Sequence, residues 1–297
     1  MPKLSTDFKL DRGLDRDWIA AMIFLAPALT ILGLFLFYPI VYLLWLSFTR
    51  GSFTVAGIEW VGARNYLRLF TDTDFWQVMG NTTYFTLATV IPAVIIPLGL
   101  AVLLNRSWMR GVLRTAYFIP SVTSLVAVGL AFRWLFQTDG RVNELLLNWG
   151  LEPISWLSST AWAMPVLILV SSWQQLGFNL VVFLAGLQII PRSLYEAAEL
   201  DGAKGWNQFW YITLPGLTPT LIFVVLTTAI FTLRSFEQVY VITGGGPLNS
   251  TNLLVYYIYQ QAFANFEFGY AAAAATVLLA IASIFVYFYL QVWQKQP

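Results

Sequence analysis

The chain has 297 residues, 58% hydrophobic and only 10% charged, where an ordinary soluble domain carries about 25% charged residues, so its apolar surface exceeds what a soluble fold can bury. A net charge of +1 supplies no field that would draw nucleic acid or an acidic partner. With no cysteine and no histidine, the sequence offers no disulfide, no thiol nucleophile, none of the usual zinc ligand sets and not the commonest general base.

Residues 1–18 alternate acidic and basic side chains and are too charged for a cleaved leader, so they read as a tail in front of a retained membrane segment. Six stretches then reach the roughly 20 apolar residues that a span requires: 19–48, 81–104, 117–136, 163–190, 217–236 and 270–292. Pro27, Pro39, Pro92, Pro97, Pro120, Pro165 and Pro219 lie in or at the ends of these spans. Neighbouring helices can satisfy the carbonyls that proline frees, so the expectation is kinked helices around a cavity.

Between the first two spans, residues 51–79 are polar and carry Trp60, Tyr66 and Trp76, which suit an outer membrane interface. The loop 137–162 holds Asp139, Glu144 and Glu152 among leucines and aromatics, the pattern of a short amphipathic helix, although a passive connector would read similarly. The fifth loop opens on Gly244-Gly245-Gly246-Pro247, which permits a tight turn. No Lys-Ser or Lys-Thr follows these glycines, here or elsewhere at the required spacing, so the chain is not expected to hydrolyse ATP.

One polar island interrupts the apolar second half, over residues 191–216. Pro191 ends the fourth span, Ser193 can cap a new helix with Glu196 completing a capping box, and Gly202 can end it in a left-handed C-cap. A second short piece follows from Trp206 to Leu214, before Pro215. Ala197, Ala198 and Ala203 would let another backbone approach closely, and Glu196, Glu199 and Asp201 offer acceptors. Glu196 can serve the cap alone or a contact with a partner; the residues leave both open.

Lysine and arginine fix the orientation, because cytoplasmic segments beside spans retain an excess of them. With both termini inside, the inner segments hold Lys3, Lys9, Arg12, Arg16, Arg106, Arg110, Arg114, Arg192, Lys204 and Lys295, and the outer segments hold only Arg50, Arg64, Arg68 and Arg141. The island then faces the cytoplasm.

Charges inside spans are costly unless wetted or paired. Arg133, and Arg234 with Glu237 one turn apart, either line a water-filled path or reach out to the surface; Thr232 and Ser235 beside the latter pair favour the path. The fourth span carries Ser171, Ser172, Trp173, Gln174, Gln175, Gly177, Phe178 and Asn179 near its middle. Such groups need partners across helices or a hydrated route. A sugar, with a ring face to stack and hydroxyls to satisfy, matches aromatic and amide groups in one pocket.

Glu196-Ala197-Ala198, Asp201-Gly202-Ala203 and Ile212-Thr213-Leu214-Pro215 together resemble the coupling loop of membrane subunits of ATP-binding-cassette importers. The Gly-Gly-Pro run, the later Phe268-Gly269-Tyr270 and the loop 51–79 are similar to the carbohydrate branch of those permeases, the maltose-importer type, and the likeness extends from the first span to the last. That resemblance implies an all-α, type I importer-permease fold with six transmembrane helices in residues 19–297 and a cytoplasmic coupling helix. It implies residence in a bacterial inner membrane, with a second, similar permease and two cytoplasmic ATPase subunits that bind ATP and Mg, no cofactor being bound by this chain. An outer solute-binding protein would complete the assembly. Glu196, Ala197, Ala198, Asp201, Gly202 and Ala203 would couple to the ATPases. Gln175, Leu176, Gly177, Phe178 and Asn179, then Phe231, Thr232, Arg234, Ser235 and Glu237, would line the path of a sugar or sugar-linked solute. Asparagines of the maltose subunit in the second of these helices are replaced here by Thr232, Arg234 and Ser235, so the identity of the solute does not carry over.

Two rivals remain. A self-sufficient secondary transporter would need ion-coupling groups near the midplane and an internal repeat, neither of which is evident. A membrane-embedded enzyme would have to work with carboxylate, serine or lysine groups alone.

Overall fold

The computed structural model describes residues 14–51, 57–105 and 117–294. Most of the tail 1–18 therefore lies outside the described residues, as do Lys3, Lys9, Arg12, Arg106, Arg110, Arg114 and Lys295 of the orientation count. The architecture is helical, with one two-stranded antiparallel ribbon.

The first span is α1 (Leu14–Leu32) and α2 (Tyr38–Leu46), joined by a π-helical turn at Gly33–Phe37. The ribbon follows, β1 (Thr49–Arg50) against β2 (Glu59–Trp60), and then α3 (Arg64–Thr71). The second span is α4 (Thr73–Leu104), which begins two turns before the expected 81. Asp72 explains the early start: its carboxylate accepts from the Asp74 amide at 2.9 Å and caps the helix, so the polar residues up to Asn81 form its first two turns.

The third span, expected unbroken over 117–136, is two helices: α5, described over residues 117–122, and α6 (Leu125–Leu135), with extended backbone at Ser124 between them. The loop that follows does fold a short helix, α7 (Arg141–Asn148). Asn143, buried, holds it in place: its amide donates to the Thr138 and Ile154 carbonyls at 2.9 Å each, and its oxygen accepts from the Ile154 amide and the Trp156 indole. The fourth span is α8 (Ala163–Ile189).

The island contains α9 (Arg192–Leu200), α10 (Gly205–Gln208), a π-turn at Phe209–Thr213 and α11 (Leu214–Gly216). A 67° bend leads to the fifth span, α12 (Thr218–Leu233). Beyond a π-turn at Val239–Thr243 come α13 (Leu254–Tyr259), another π-turn and the last span, α14 (Phe268–Gln294). Among the described residues four helices are long and apolar enough to cross a membrane, and the bent pair ending in α12 makes a fifth; α6, at eleven residues, is the second piece of the broken third span.

Two buried clusters stack along α4 and α8, the second of them taking in α12 as well. One is built on Phe85, Leu167, Val170 and Val239, the other on Leu98, Leu180, Phe183 and Val224. Between them Asn179 donates to the Ala93 carbonyl at 2.7 Å and to Thr228 Oγ1 at 3.1 Å, a polar pin across three spans. A third cluster, Leu69, Phe75, Leu254 and Tyr270, packs α3, the start of α4 and α13 onto the start of α14. The island sits beside Val102 and Asn105, at the end of α4 away from the loop residues Leu248, Asn249 and Asn252, which bond to Gln77 and Asn81. Island and long loops therefore occupy opposite ends of the bundle.

Candidate translocation cavity and coupling island

A cavity of about 440 Å³ opens where α5, α8 and the end of α12 meet. Phe118, Phe178 and Phe231 give it aromatic walls, and Ser121, Ser171, Gln174, Gln175, Ser235 and Gln238 give it amides and hydroxyls. Arg234 and Glu237 also face it. They do not form the ion pair that a shared helical face would have allowed. α12 stops at Leu233, Arg234 is its C-cap and Ser235 and Phe236 are not helical, so the one-turn spacing places the two charges on no common face. Inside this turn Gln238 donates to Ser235 Oγ at 2.7 Å.

Of the ten residues expected along the path, Gln175, Phe178, Phe231, Arg234, Ser235 and Glu237 line the cavity, and Leu176, Gly177, Asn179 and Thr232 do not. Asn179 is the buried pin, and Thr232 returns its hydroxyl to the Thr228 and Ala229 carbonyls. Gly177 is a notch: a Cβ there would lie 2.1 Å from the Tyr117 carbonyl oxygen, so only glycine admits α5 so close to α8. Leu176 is half-buried outside the lining. Ser171, Gln174, Gln175 and Phe178, at i, i+3, i+4 and i+7, share the face of α8 that meets the cavity, and Leu176, Gly177 and Asn179 lie off it. Phe118 and Ser121 were missed because an unbroken third span gave no reason to aim them here. Arg133 stays outside the cavity and donates to the Val241 carbonyl at 3.2 Å, at the end of the turn that follows α12.

At the other end, the island departs from its expected start and keeps its expected stop. Pro191 itself is the N-cap, Ser193 lies inside the first turn, and no side chain caps the helix, so the Ser193–Glu196 capping box does not form. With Pro191 extended (φ −60°, ψ 131°) the helix begins two residues too early for Ser193 to sit at the cap. Gly202 has φ +79°, its amide donates to the Glu199 carbonyl at 3.1 Å, and the Ala203 amide donates to the Ala198 carbonyl at 2.8 Å. Those two bonds are the Schellman ending. Tyr195 fastens α9 to the second piece through Thr213 at 2.9 Å. Glu196 and Glu199, with Arg192 and Gln208, border an inner cavity of about 820 Å³, and Ala197, Asp201 and Gly202 stand exposed while Ala198 and Ala203 are half-buried. Leu200 is 90% exposed and Trp206 73% exposed, apolar surface that the rest of the described chain does not cover.

The loops at the end opposite the island are tied to the spans. The Asp72 carboxylate accepts from the Tyr257 and Tyr270 hydroxyls at 3.0 and 2.5 Å, while Arg68 lies 4.3 Å over the Tyr270 ring and pairs with Glu267 at 2.8 Å. Burial alone would raise the Asp72 pKa, but the two tyrosine hydroxyls and the Asp74 and Phe75 amides outweigh it and hold the carboxyl below its ordinary value. Gly244 and Gly245 take the positive φ expected of a tight turn, and the Thr251 hydroxyl donates across it to the Gly246 carbonyl at 2.6 Å.

Kinked apolar helices around a polar cavity, with an uncovered island at one end, define a membrane permease. The chain belongs to the family described as binding-protein-dependent transport system inner membrane component, which it matches over residues 93–296. It is 39% identical over 276 residues to the lactose transport system permease protein LacF of Rhizobium radiobacter, covering 90% of this chain and 92% of that protein. It is also 39% identical over 280 residues to the sulfoquinovosyl glycerol transport system permease protein SmoG of Agrobacterium fabrum, covering 93% and 91%. Its fold superposes on a chain of the bacterial alginate importer, crystallised in complex with a periplasmic protein bound to an alginate pentasaccharide, with a TM-score of 0.80, 25% identity and coverage of 94% and 95%. The type I importer-permease fold follows, and with it a transport subunit without catalytic chemistry of its own.

Proposed function

We propose that this chain forms one half of the translocation path of a carbohydrate importer, with Gln175, Phe178, Phe231, Arg234, Ser235 and Glu237 facing the solute. The observation that carries this reading is the meeting of three phenylalanines with amides and hydroxyls in one cavity between α5, α8 and α12. Ring faces stack on the phenylalanines, and sugar hydroxyls exchange bonds with groups that both donate and accept. LacF and SmoG, whose names give sugar-containing solutes, support the class.

A second permease completes the path. Two ATPase subunits, which bind ATP and Mg, dock on α9 through the uncovered Leu200, Trp206 and the small and acidic positions Glu196, Ala197, Ala198, Asp201, Gly202 and Ala203. A solute-binding protein delivers the sugar to the opposite end; the alginate importer forms a complex with a periplasmic protein bound to an alginate pentasaccharide, which supports such a partner. Both termini then lie in the cytoplasm, and the lipid bilayer covers the exposed apolar helix faces. ATP-driven closure of the motors moves α9, and the Schellman ending keeps that rod short and stiff enough to transmit the motion.

Reconstitution of the complete assembly in vesicles tests this. Sugar uptake should require internal ATP, the binding protein and the second permease together, and this chain alone should give none. Uptake by the chain alone, driven by an ion gradient, would replace the importer by a secondary transporter.

A further inference from the structure

The break in the third span leaves one hydroxyl in an unusual place. Ser121 Oγ donates to the Gln174 carbonyl at 2.9 Å and accepts from the Phe178 amide at 3.1 Å. Carbonyl 174 and amide 178 are partners four residues apart in the backbone ladder of α8, so a side chain from another helix shares that rung. Side chains inserted into the ladder are among the few physical causes of a helix hinge. The rung is also where Gly177 admits α5: a Cβ at Gly177 would lie 2.8 Å from Phe118 Cα and from Ser121 Oγ, besides the clash with Tyr117. One residue to either side stand Leu176 and Phe178, and two before it Gln175; Gln175 and Phe178 both face the cavity. On the α5 side, Ser121 is followed within three residues by the non-helical Ser124, so α5 can tilt without dragging α6.

We propose that Ser121 is a positioning residue for transport: seated in the Gln174–Phe178 rung it fixes Gln175 and Phe178 in the cavity wall, and it leaves and re-enters that rung as the cavity changes access. When Ser121 is seated, the Phe178 amide donates to the serine while α8 stays helical through that level. When α5 swings away, amide 178 closes fully on carbonyl 174, so no backbone group is left unsatisfied in either state. Both positions are therefore allowed in an apolar setting, which a hinge that stranded a donor would not be. The inference rests on the cavity reading above.

The test uses the full importer in vesicles. Ser121→Ala and Ser121→Val should assemble normally and lower the maximal uptake rate about 3- to 10-fold, the effect of one lost hydrogen bond; Ser121→Thr, which keeps the hydroxyl, should recover most of it. Because the chain has no cysteine, Thr123→Cys with Leu169→Cys can carry a pair of spin labels whose separation should differ between nucleotide-free and nucleotide-trapped importer. Wild-type uptake in Ser121→Ala and Ser121→Val, or one unchanged label distance in both states, overturns the proposal. If Gln175→Leu and Phe178→Ala reduce uptake while those results are obtained, the cavity stands and the joint alone fails; if Gln175→Leu and Phe178→Ala are themselves silent, the cavity reading fails first.

Discussion

The two ends of this molecule are built on opposite plans. At the outer end, polar side chains are spent on the chain itself: Asp72 joins two tyrosines, Asn143 joins four groups of its own loop, and Asn81 and Gln77 hold the turn after Gly246. At the inner end, the island is fastened through Tyr195 and Thr213 and otherwise leaves Leu200, Trp206 and its carboxylates uncovered. A surface that holds itself in shape suits a partner that arrives and departs, and a surface that withholds its apolar residues from its own fold suits a partner that stays. On the importer reading proposed above, the contrast is that between a docking platform and a permanent joint.

Asp72→Ala should break the outer plan with the largest effect. It removes a helix cap and the shared acceptor of two buried tyrosine hydroxyls, only one of which can then donate to the other, together about 3 kcal/mol, seen as a lower midpoint in thermal unfolding of the detergent-solubilised complex. The same group gives a pH signature. Its folded pKa is depressed, so its stabilisation is complete above the ordinary carboxylate value of about 3.9 and is lost as pH falls through the lower folded value. Asp72→Asn should remove that acid-side loss, and an unaltered acid limb in Asp72→Asn would show that other carboxylates set it.

Gly202→Val breaks the inner plan. No atom lies within 4 Å of the Cβ it would add, so the defect is conformational. A left-handed backbone costs such a residue about 1–2 kcal/mol, and each 1.4 kcal/mol is about tenfold in population. Uptake should fall about tenfold while unfolding of the permease is little changed; normal uptake and ATPase stimulation would count against a stiff rod. Next in size, Gln175→Leu and Ser235→Leu should each cut uptake several-fold with assembly intact, measured as kcat and KM for the loaded binding protein. The smallest effect belongs to Glu196→Gln. With no capping box to lose, it alters only charge at the rim of the inner cavity, and uptake within about twofold of wild type is expected for a screened surface charge.

How far the sequence reaches follows the same division. Apolar length located the spans, and Gly202 announced its own cap, because both are set by local chemistry. The start of α4 was two turns out because Asp72 and the tyrosines that favour it lie far apart in sequence. The break at Ser124 left no mark that local pattern could read, and with it went Phe118 and Ser121; Pro120 warned of a kink but not of where the chain would turn. Arg234 and Glu237 were set on one helical face by spacing, whereas α12 ends at Leu233 and frees them from each other. Within the fourth span, serines, glutamines and asparagine looked alike, yet Asn179 became a buried pin and Gln175 a cavity wall, a choice made by neighbouring helices.

Cysteine cross-linking gives the most direct test of the claim that the inner island meets separate ATPase subunits. With the assembled importer in native membranes, Leu200→Cys should form a disulfide with a cysteine scanned across the surface of the ATPase subunits, in a yield that changes with nucleotide. Leu248→Cys, at the tip of the outer turn, should form none with them. A cross-link from Leu248→Cys to the ATPases, with none from Leu200→Cys at any scanned position, would contradict the account.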